Sequence, residues 1–211
     1  FVEDLLKTNQ DLQFYRYLRF NIDFRKYILL GSKNQSQLAF KAMGGIAYAY
    51  GDENSYQLPY EKNFFIGGPS SLRAWKPRRL GPGSYNAKTN LIEQPGSILI
   101  ETSLEYRFKI VQFLGSLNGA LFVDAGNIWN VSQPGQLTLG KWEANNFLSE
   151  IAVGSGLGLR WDFDYFLIRL DLASKMINPA NPKNEKWVFN KTSFSSAENP
   201  IEFNIGIGYP F

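Results

Sequence analysis

From Phe14 to Phe24 the chain alternates: Phe14, Leu18, Phe20, Ile22 and Phe24 hold even positions, while Gln13, Arg19, Asn21, Asp23 and Arg25 hold odd ones, with Arg16 out of step. A period of two places one set of side chains on each face of a β-strand. The alternation returns where Leu38, Phe40, Ile46, Tyr48 and Tyr50 oppose Ala39, Lys41, Gly45, Ala47 and Ala49. It returns again where Ile98, Ile100, Leu104, Tyr106 and Phe108 oppose Glu101, Ser103, Glu105 and Arg107. Further on, Leu117, Leu121 and Val123 oppose Asn118 and Asp124, and Ile151, Val153, Leu157, Leu159 and Trp161 oppose Glu150, Gly154, Gly156, Gly158 and Arg160. Finally Phe166, Ile168, Leu170 and Leu172 oppose Arg169 and Asp171, and Ile201, Phe203, Ile205, Ile207, Tyr209 and Phe211 oppose Glu202, Asn204, Gly206 and Gly208. The pattern predicts an all-β chain of seven two-faced strands with antiparallel neighbours.

A soluble sandwich also alternates, so the connections have to discriminate. They are short at about 26–37, 109–115 and 162–165, and long at about 51–96, 130–148 and 174–199. Short turns therefore gather at one end of the sheet and long loops at the other, which is the arrangement of an outer-membrane β-barrel. Lipid cannot satisfy free backbone groups, so such a sheet closes on itself. Bacterial single-chain barrels use even strand counts of about eight or more. Seven strands thus predict that residues 1–211 are the C-terminal portion of one larger transmembrane β-barrel domain, with strands missing upstream of Phe1.

Composition changes the picture only by exclusion. The chain is 44% hydrophobic and 16% aromatic, enough for a lipid-facing band. No stretch approaches the roughly 18 apolar residues of a membrane helix; even KIVQFLGSLNGALFVDAG is broken by Gln112, Ser116 and Asn118. With neither cysteine nor histidine, thiol chemistry and the commonest general base and metal ligand are missing, so neither an enzyme nor a cofactor is expected. A net charge of +3 is too small to argue for nucleic acid.

Between the second and third strands lies FFIGGPSSLRAWKPRRLGPGSY, Phe64 to Tyr85, too polar for a strand and too long for a hairpin turn. GGPSSLRAW, then LGPGSY, ETSLEYRF, FVDAGNIW and a terminal aromatic strand, in that order, resemble the barrel of the BamA/TamA family of outer-membrane assembly factors, and most of all TamA-like members from Bacteroidota. The resemblance runs from about Asp11 to the last residue. It implies a sixteen-stranded barrel whose sixth extracellular loop folds into the lumen and carries an Arg-Gly-[Phe/Tyr] tip, with five strands after the loop. Ala74 stands where the family has Gly, and Trp75 where it has Phe or Tyr. Because Ala tolerates positive φ poorly, the tip backbone need not match its relatives.

The resemblance also implies roles. The loop, with Gly67, Gly68, Leu72, Arg73, Ala74 and Trp75 at its tip, becomes a structural latch, and Arg73, a planar fork of donors, meets Glu105 of SLEY and Asp124 of VDAG. Glu101, a further inward carboxylate on the same strand as Glu105, is counted with them as a latch partner. Inward Gly154, Gly156 and Gly158 leave lumen volume for a returning loop, or else only relieve sheet curvature. Arg73 is otherwise a solvated extracellular charge. The basic group Arg73, Lys76, Arg78 and Arg79 reads more readily as a solvated or lumenal charge cluster than as a site for lipopolysaccharide phosphates or nucleic acid. Asp162, Asp164 and Asp171 hint at calcium, but the first two sit in a tight turn where Asp caps backbone, so no metal is expected.

The final NIGIGYPF fits the polar-x-Gly-x-x-aromatic-x-aromatic signal that assembly machinery reads on outer-membrane substrates, through Asn204, Gly206, Tyr209 and Phe211. In the family this strand faces the first one across a weakly paired seam, which Gly206, Gly208 and Pro210 would weaken further. It is equally an ordinary closing strand with an aromatic interface anchor. The implied function is insertion of outer-membrane proteins through a gated seam in the bacterial outer membrane. Implied partners are outer-membrane lipids, lipopolysaccharide, nascent outer-membrane proteins, and an assembly-complex or inner-membrane partner met through upstream periplasmic domains. A two-partner secretion pore and the barrel anchor of a lipase share the same features.

Overall fold

The alternating segments form strands in the computed structural model, which describes residues 15–31, 36–51, 58–85, 93–112, 115–131, 139–163, 165–196 and 199–211. The strands are β1 (Tyr17–Leu30), β2 (Ser36–Ala49), β3 (Ile98–Gln112), β4 (Ser116–Trp129), β5 (Ala152–Asp162), β6 (Leu167–Ile177), β7 (Thr192–Ser193), β8 (Asn199–Pro200) and β9 (Glu202–Ile207). Seven of them form one sheet in chain order, β1-β2-β3-β4-β5-β6-β9, while β7 and β8 make a separate two-residue parallel ladder. Every neighbour within the seven-stranded sheet is antiparallel. No helix among the described residues is long and apolar enough to cross a membrane.

Register turns the alternation into two faces. Leu38, Tyr106, Leu121, Leu157 and Leu172 are successive partners across five strands and make one apolar row. Phe20, Ile46, Leu104, Val123 and Ile205 lie on the same face and are exposed, as a lipid-facing surface requires. The opposite face is built of rows that alternate bulk with clearance. One runs Lys41, Ser103, Asp124, Gly154, Lys175; the next runs Ala39, Glu105, Phe122, Gly156, Ala173. A third runs Arg107, Ala120, Gly158, Asp171, Asn204, and a fourth joins Arg160, Arg169 and Gly206.

Among the boundaries that differ from the sequence expectation, two lie at the ends of the sheet. The first strand continues six residues past Phe24, to Leu30, because pairing with β2 continues through Leu30 opposite Ser36; Phe14 and Asp164 lie outside the described residues. At the other end β9 stops at Ile207, where Gly208 turns the chain at φ 83°. Phe211 consequently leaves the outer face and is buried, 7% exposed. Gly208 still donates its N–H to the Leu167 carbonyl at 2.8 Å, whereas Pro210 lies beyond the ladder and removes no donor from it.

The packed core sits on the concave, polar face and is supplied largely by the long loop. Phe64, Ile66, Leu72, Ala74, Trp75 and Leu80 pack with Leu99, Phe122, Ile128 and Ala152 of the strands. Fully burying a large apolar side chain contributes about 1.5–3 kcal/mol. The segment after β2 is therefore held by hydrophobic burial before any charge is considered.

Candidate functional site: the buried loop tip

Gly67 and Gly68 open the tip at φ 104° and 97°. Only a residue without a Cβ fits at Gly67, where an added carbon would lie 2.5 Å from the Lys76 carbonyl oxygen. Gly68 N–H then donates to the Trp75 carbonyl at 2.8 Å and to the Leu72 carbonyl at 3.2 Å, closing the tip into a compact loop. Ala74 causes no strain, since among the described non-glycine residues only Arg78 has a positive φ. The departure from Gly that the sequence flagged is absorbed in the ordinary backbone region.

Closing the tip aims Arg73 into the concave face, where it is 1% exposed. Its Nε donates to Asp124 Oδ2 at 2.8 Å and its Nη2 to Asp124 Oδ1 at 2.7 Å, a bidentate fork. Its backbone N–H reaches the same Asp124 Oδ2 at 3.1 Å. Nη1 donates to Glu105 Oε2 at 2.5 Å, Nη2 to Ser103 Oγ at 3.2 Å, and the guanidinium lies 3.4 Å from the Phe122 ring centroid. Burial alone would depress the Arg73 pKa, but hydrogen bonding to Asp124 and the charges of Asp124, Glu105 and Asp171 outweigh it and raise it. The tip is therefore permanently cationic.

The acidic side is shared more widely than the resemblance implies. Glu105 Oε1 accepts from Arg107 Nε at 2.8 Å and Arg160 Nε at 3.2 Å, and its Oε2 accepts from Arg160 Nη2 at 3.0 Å. Arg160 and Arg169 also approach Asp171 at 2.7 and 3.4 Å, without hydrogen-bond alignment. Asp171 thus lies in an ion-pair network with Asp162 elsewhere, and the described residues hold no cluster arranged for a metal. Arg107, Arg160, Arg169 and Asp171 were not singled out from sequence as partners, although their inward parity on charged positions was visible there.

Glu101 does something other than meet Arg73. Its carboxylate pairs with Lys41 Nζ at 2.5 Å and accepts from Ser71 Oγ at 2.7 Å, while Lys41 also donates to the Ser70 carbonyl at 3.2 Å. Ser71 Oγ in turn accepts the Gly67 N–H at 3.2 Å. Lys41 and Glu101 therefore grip the outer half of the tip, at a second anchor beside Arg73. The reason is spacing: Glu101 and Glu105 share a face four residues apart, too far for one guanidinium.

The three glycines of β5 divide their work. An added Cβ at Gly154 would lie 2.7 Å from the Ala74 Cβ and 3.3 Å from Trp75, so this position admits the tip itself. At Gly156 it would lie 2.2 Å from the Leu172 carbonyl oxygen and strike the Phe122 ring on which Arg73 stacks, and at Gly158 it would meet the Arg160–Asp171 pair. Only one of the three clears the loop directly; the other two clear the sheet backbone and side chains beneath it.

The basic cluster read from sequence is split. Arg73 is buried, whereas Arg78 is exposed and donates to Glu93 Oε2 at 3.2 Å and Tyr60 Oη at 3.0 Å. Of the terminal residues, Asn204 reaches the loop, its Nδ2 donating to the Arg73 carbonyl at 2.9 Å. Gly206 faces Arg169, whose Nη2 would lie 2.6 Å from an added Cβ. Tyr209 and Phe211 bend toward Arg107, whose guanidinium lies 4.3 and 5.6 Å from their ring centroids and whose Nη2 donates to the Phe211 carbonyl at 3.4 Å.

Comparison with known proteins adds an independent line. A profile described as the Omp85 superfamily domain matches residues 5–211. Over 88 residues the chain is 31% identical to the outer membrane protein assembly factor BamA of Neisseria meningitidis serogroup B, covering 41% of this chain and 11% of that protein. The crystal structure of BamA from Haemophilus ducreyi lacking POTRA domains 1-3 superposes with a TM-score of 0.59 at 18% identity, over 92% of this chain and 35% of that one. The likeness to that solved structure is one of fold, and the chain spans only a minor part of both relatives.

Proposed function

The chain belongs to the Omp85 superfamily and is a bacterial outer-membrane protein, and from that premise we propose that residues 1–211 form the C-terminal part of one barrel domain that inserts or translocates proteins at that membrane. The finer reading is an assembly factor that acts without chemical catalysis, through a gated seam and a lumenal loop latch. The observation that carries it is the sealed tip. A loop with its arginine 1% exposed and forked onto Asp124 is a fixed structural part, not a surface decoration.

Docking the tip on Asp124 and Glu105 ties β4 to β3, while β9, six residues long, is the shortest strand of the seven-stranded sheet. A short strand facing a weakly paired seam would be suited to strand addition, in which backbone groups supply affinity and alternate side chains supply register. The substrate class is nascent outer-membrane strands, with lipid and lipopolysaccharide as the surroundings. Further partners would bind domains outside residues 1–211.

The test uses the full-length protein in lipid vesicles and follows folding of a small outer-membrane barrel by its heat-modifiable gel band. Folding should be faster with the protein present, and Asp124→Asn should remove most of the gain. Equal folding rates with and without the protein, alongside secretion of an exported polypeptide that depends on it, would move the assignment from insertion to translocation.

A further inference from the structure

We infer that Asn204 is a register-sensing tether that couples the last strand to the loop tip; the inference deepens the latch reading above and rests on it. Arg73 is held from two sides. Its side chain engages β4 through Asp124 and β3 through Glu105, while its carbonyl accepts from Asn204 Nδ2 of β9 at 2.9 Å. One loop residue therefore bridges three strands, and the third is the shortest of the seven-stranded sheet.

The chemistry of β9 makes that contact sensitive to register. Along its inward face stand Glu202, Asn204 and Gly206, opposite Ala173, Asp171 and Arg169. A slip of two residues in either direction would bring Glu202 or Gly206 to the place of Asn204. An ionised carboxylate offers only acceptors to a carbonyl and glycine offers no side chain, so neither makes the bond. A slip of one residue would turn the outward Phe203 or Ile205 inward. Of the inward side chains on this strand, only Asn204 carries a donor for a backbone carbonyl at the tip. The bond consequently forms in one register alone. A strand that slides or curls away loses its grip on the tip, and a tip that leaves the lumen loosens the strand.

The experiment uses the full-length protein in lipid, freed of any cysteine elsewhere, since residues 1–211 contain none. A nitroxide is attached at Ile205→Cys to report on β9, and in a second preparation at Ser70→Cys to report on the tip. Asn204→Ala should raise the mobile fraction at both labels about two- to tenfold, the range set by the loss of one neutral hydrogen bond. Arg73→Ala should also raise it at Ile205→Cys, and the double substitution should add nothing at that label beyond the larger single effect. Asn204→Gln, which keeps the donor, should lie nearer the unsubstituted protein than Asn204→Asp, which removes it. Mobility at Ile205→Cys that ignores Arg73→Ala, or effects that simply add, overturns the tether. Should Asn204→Ala give no folded band, the Gln and Asp substitutions carry the comparison, and equal mobility in the two overturns it. These labels report without any substrate, so a protein that shows the coupling but inserts nothing refutes the proposed function and leaves the tether standing.

Discussion

Replacing Arg73 with Ala separates a buried latch from an exposed charge by magnitude. The side chain supplies both arms of the Asp124 fork, one bond to Glu105, one to Ser103 and the contact with the Phe122 ring. What remains afterwards is unequal. Glu105 keeps Arg107 and Arg160, and Asp171 keeps Arg160 and Arg169, so neither is stranded. Asp124, 1% exposed, keeps among the described residues only Ser103 Oγ at 2.6 Å and the backbone N–H of residue 73. A buried carboxylate left without its counter-ion costs about 3–5 kcal/mol. An exposed pair would cost about 0–1 kcal/mol. With about 2–4 °C lost per kcal/mol in a domain of 150–250 residues, the melting shift should be about 6–20 °C. It is read as the temperature at which the full-length barrel loses its heat-modifiable band. The sharper test is Asp124→Asn placed in the Arg73→Ala background, which removes the stranded charge and should recover part of the loss. A melting change within about 1 kcal/mol, or no recovery from Asp124→Asn, would falsify the reasoning.

The other expectations concern the parts around that pair. Gly154→Val should destabilise by about 1–3 kcal/mol through overpacking against Ala74, and Ala74→Gly in that background should restore part of it in the same melting assay. Ala74→Gly alone should cost about 0.4–1 kcal/mol, because Ala74 holds no positive φ that Gly would relieve; a gain in stability would show that the tip is strained. Lys41→Met should cost about 3 kcal/mol, at the low end for a broken buried pair, because Glu101 keeps Ser71. Loss of protease protection should then be confined to the Ser70–Ser71 side of the tip. On the outer face, Leu157→Arg should cost about 2–4 kcal/mol if that row lies at the bilayer midplane, measured by urea unfolding in lipid vesicles; no cost would place the row in water.

Legibility followed the range of the interaction. Which residues face lipid and which face inward was readable from period two alone, because a strand sends successive side chains to opposite faces whatever surrounds it. Seven strands and the loop between the second and third followed from the same pattern, and Arg73, Glu105 and Asp124 were picked out by the motifs around them. Boundaries were not readable: β1 runs on to Leu30 because β2 pairs with it, and Phe211 turns inward because Gly208 bends the chain. Parity placed Arg107, Arg160, Arg169 and Asp171 on the inner face but said nothing of distance, and register among three different strands is what brings them together. The same holds for Glu101, inward by sequence but gripping Lys41 and Ser71, and for Asn204, which meets Arg73 across 131 positions of chain. Alternation is a property of each strand by itself and survives without neighbours; a hydrogen bond between remote residues exists only once register, sheet curvature and the returning loop have been settled together.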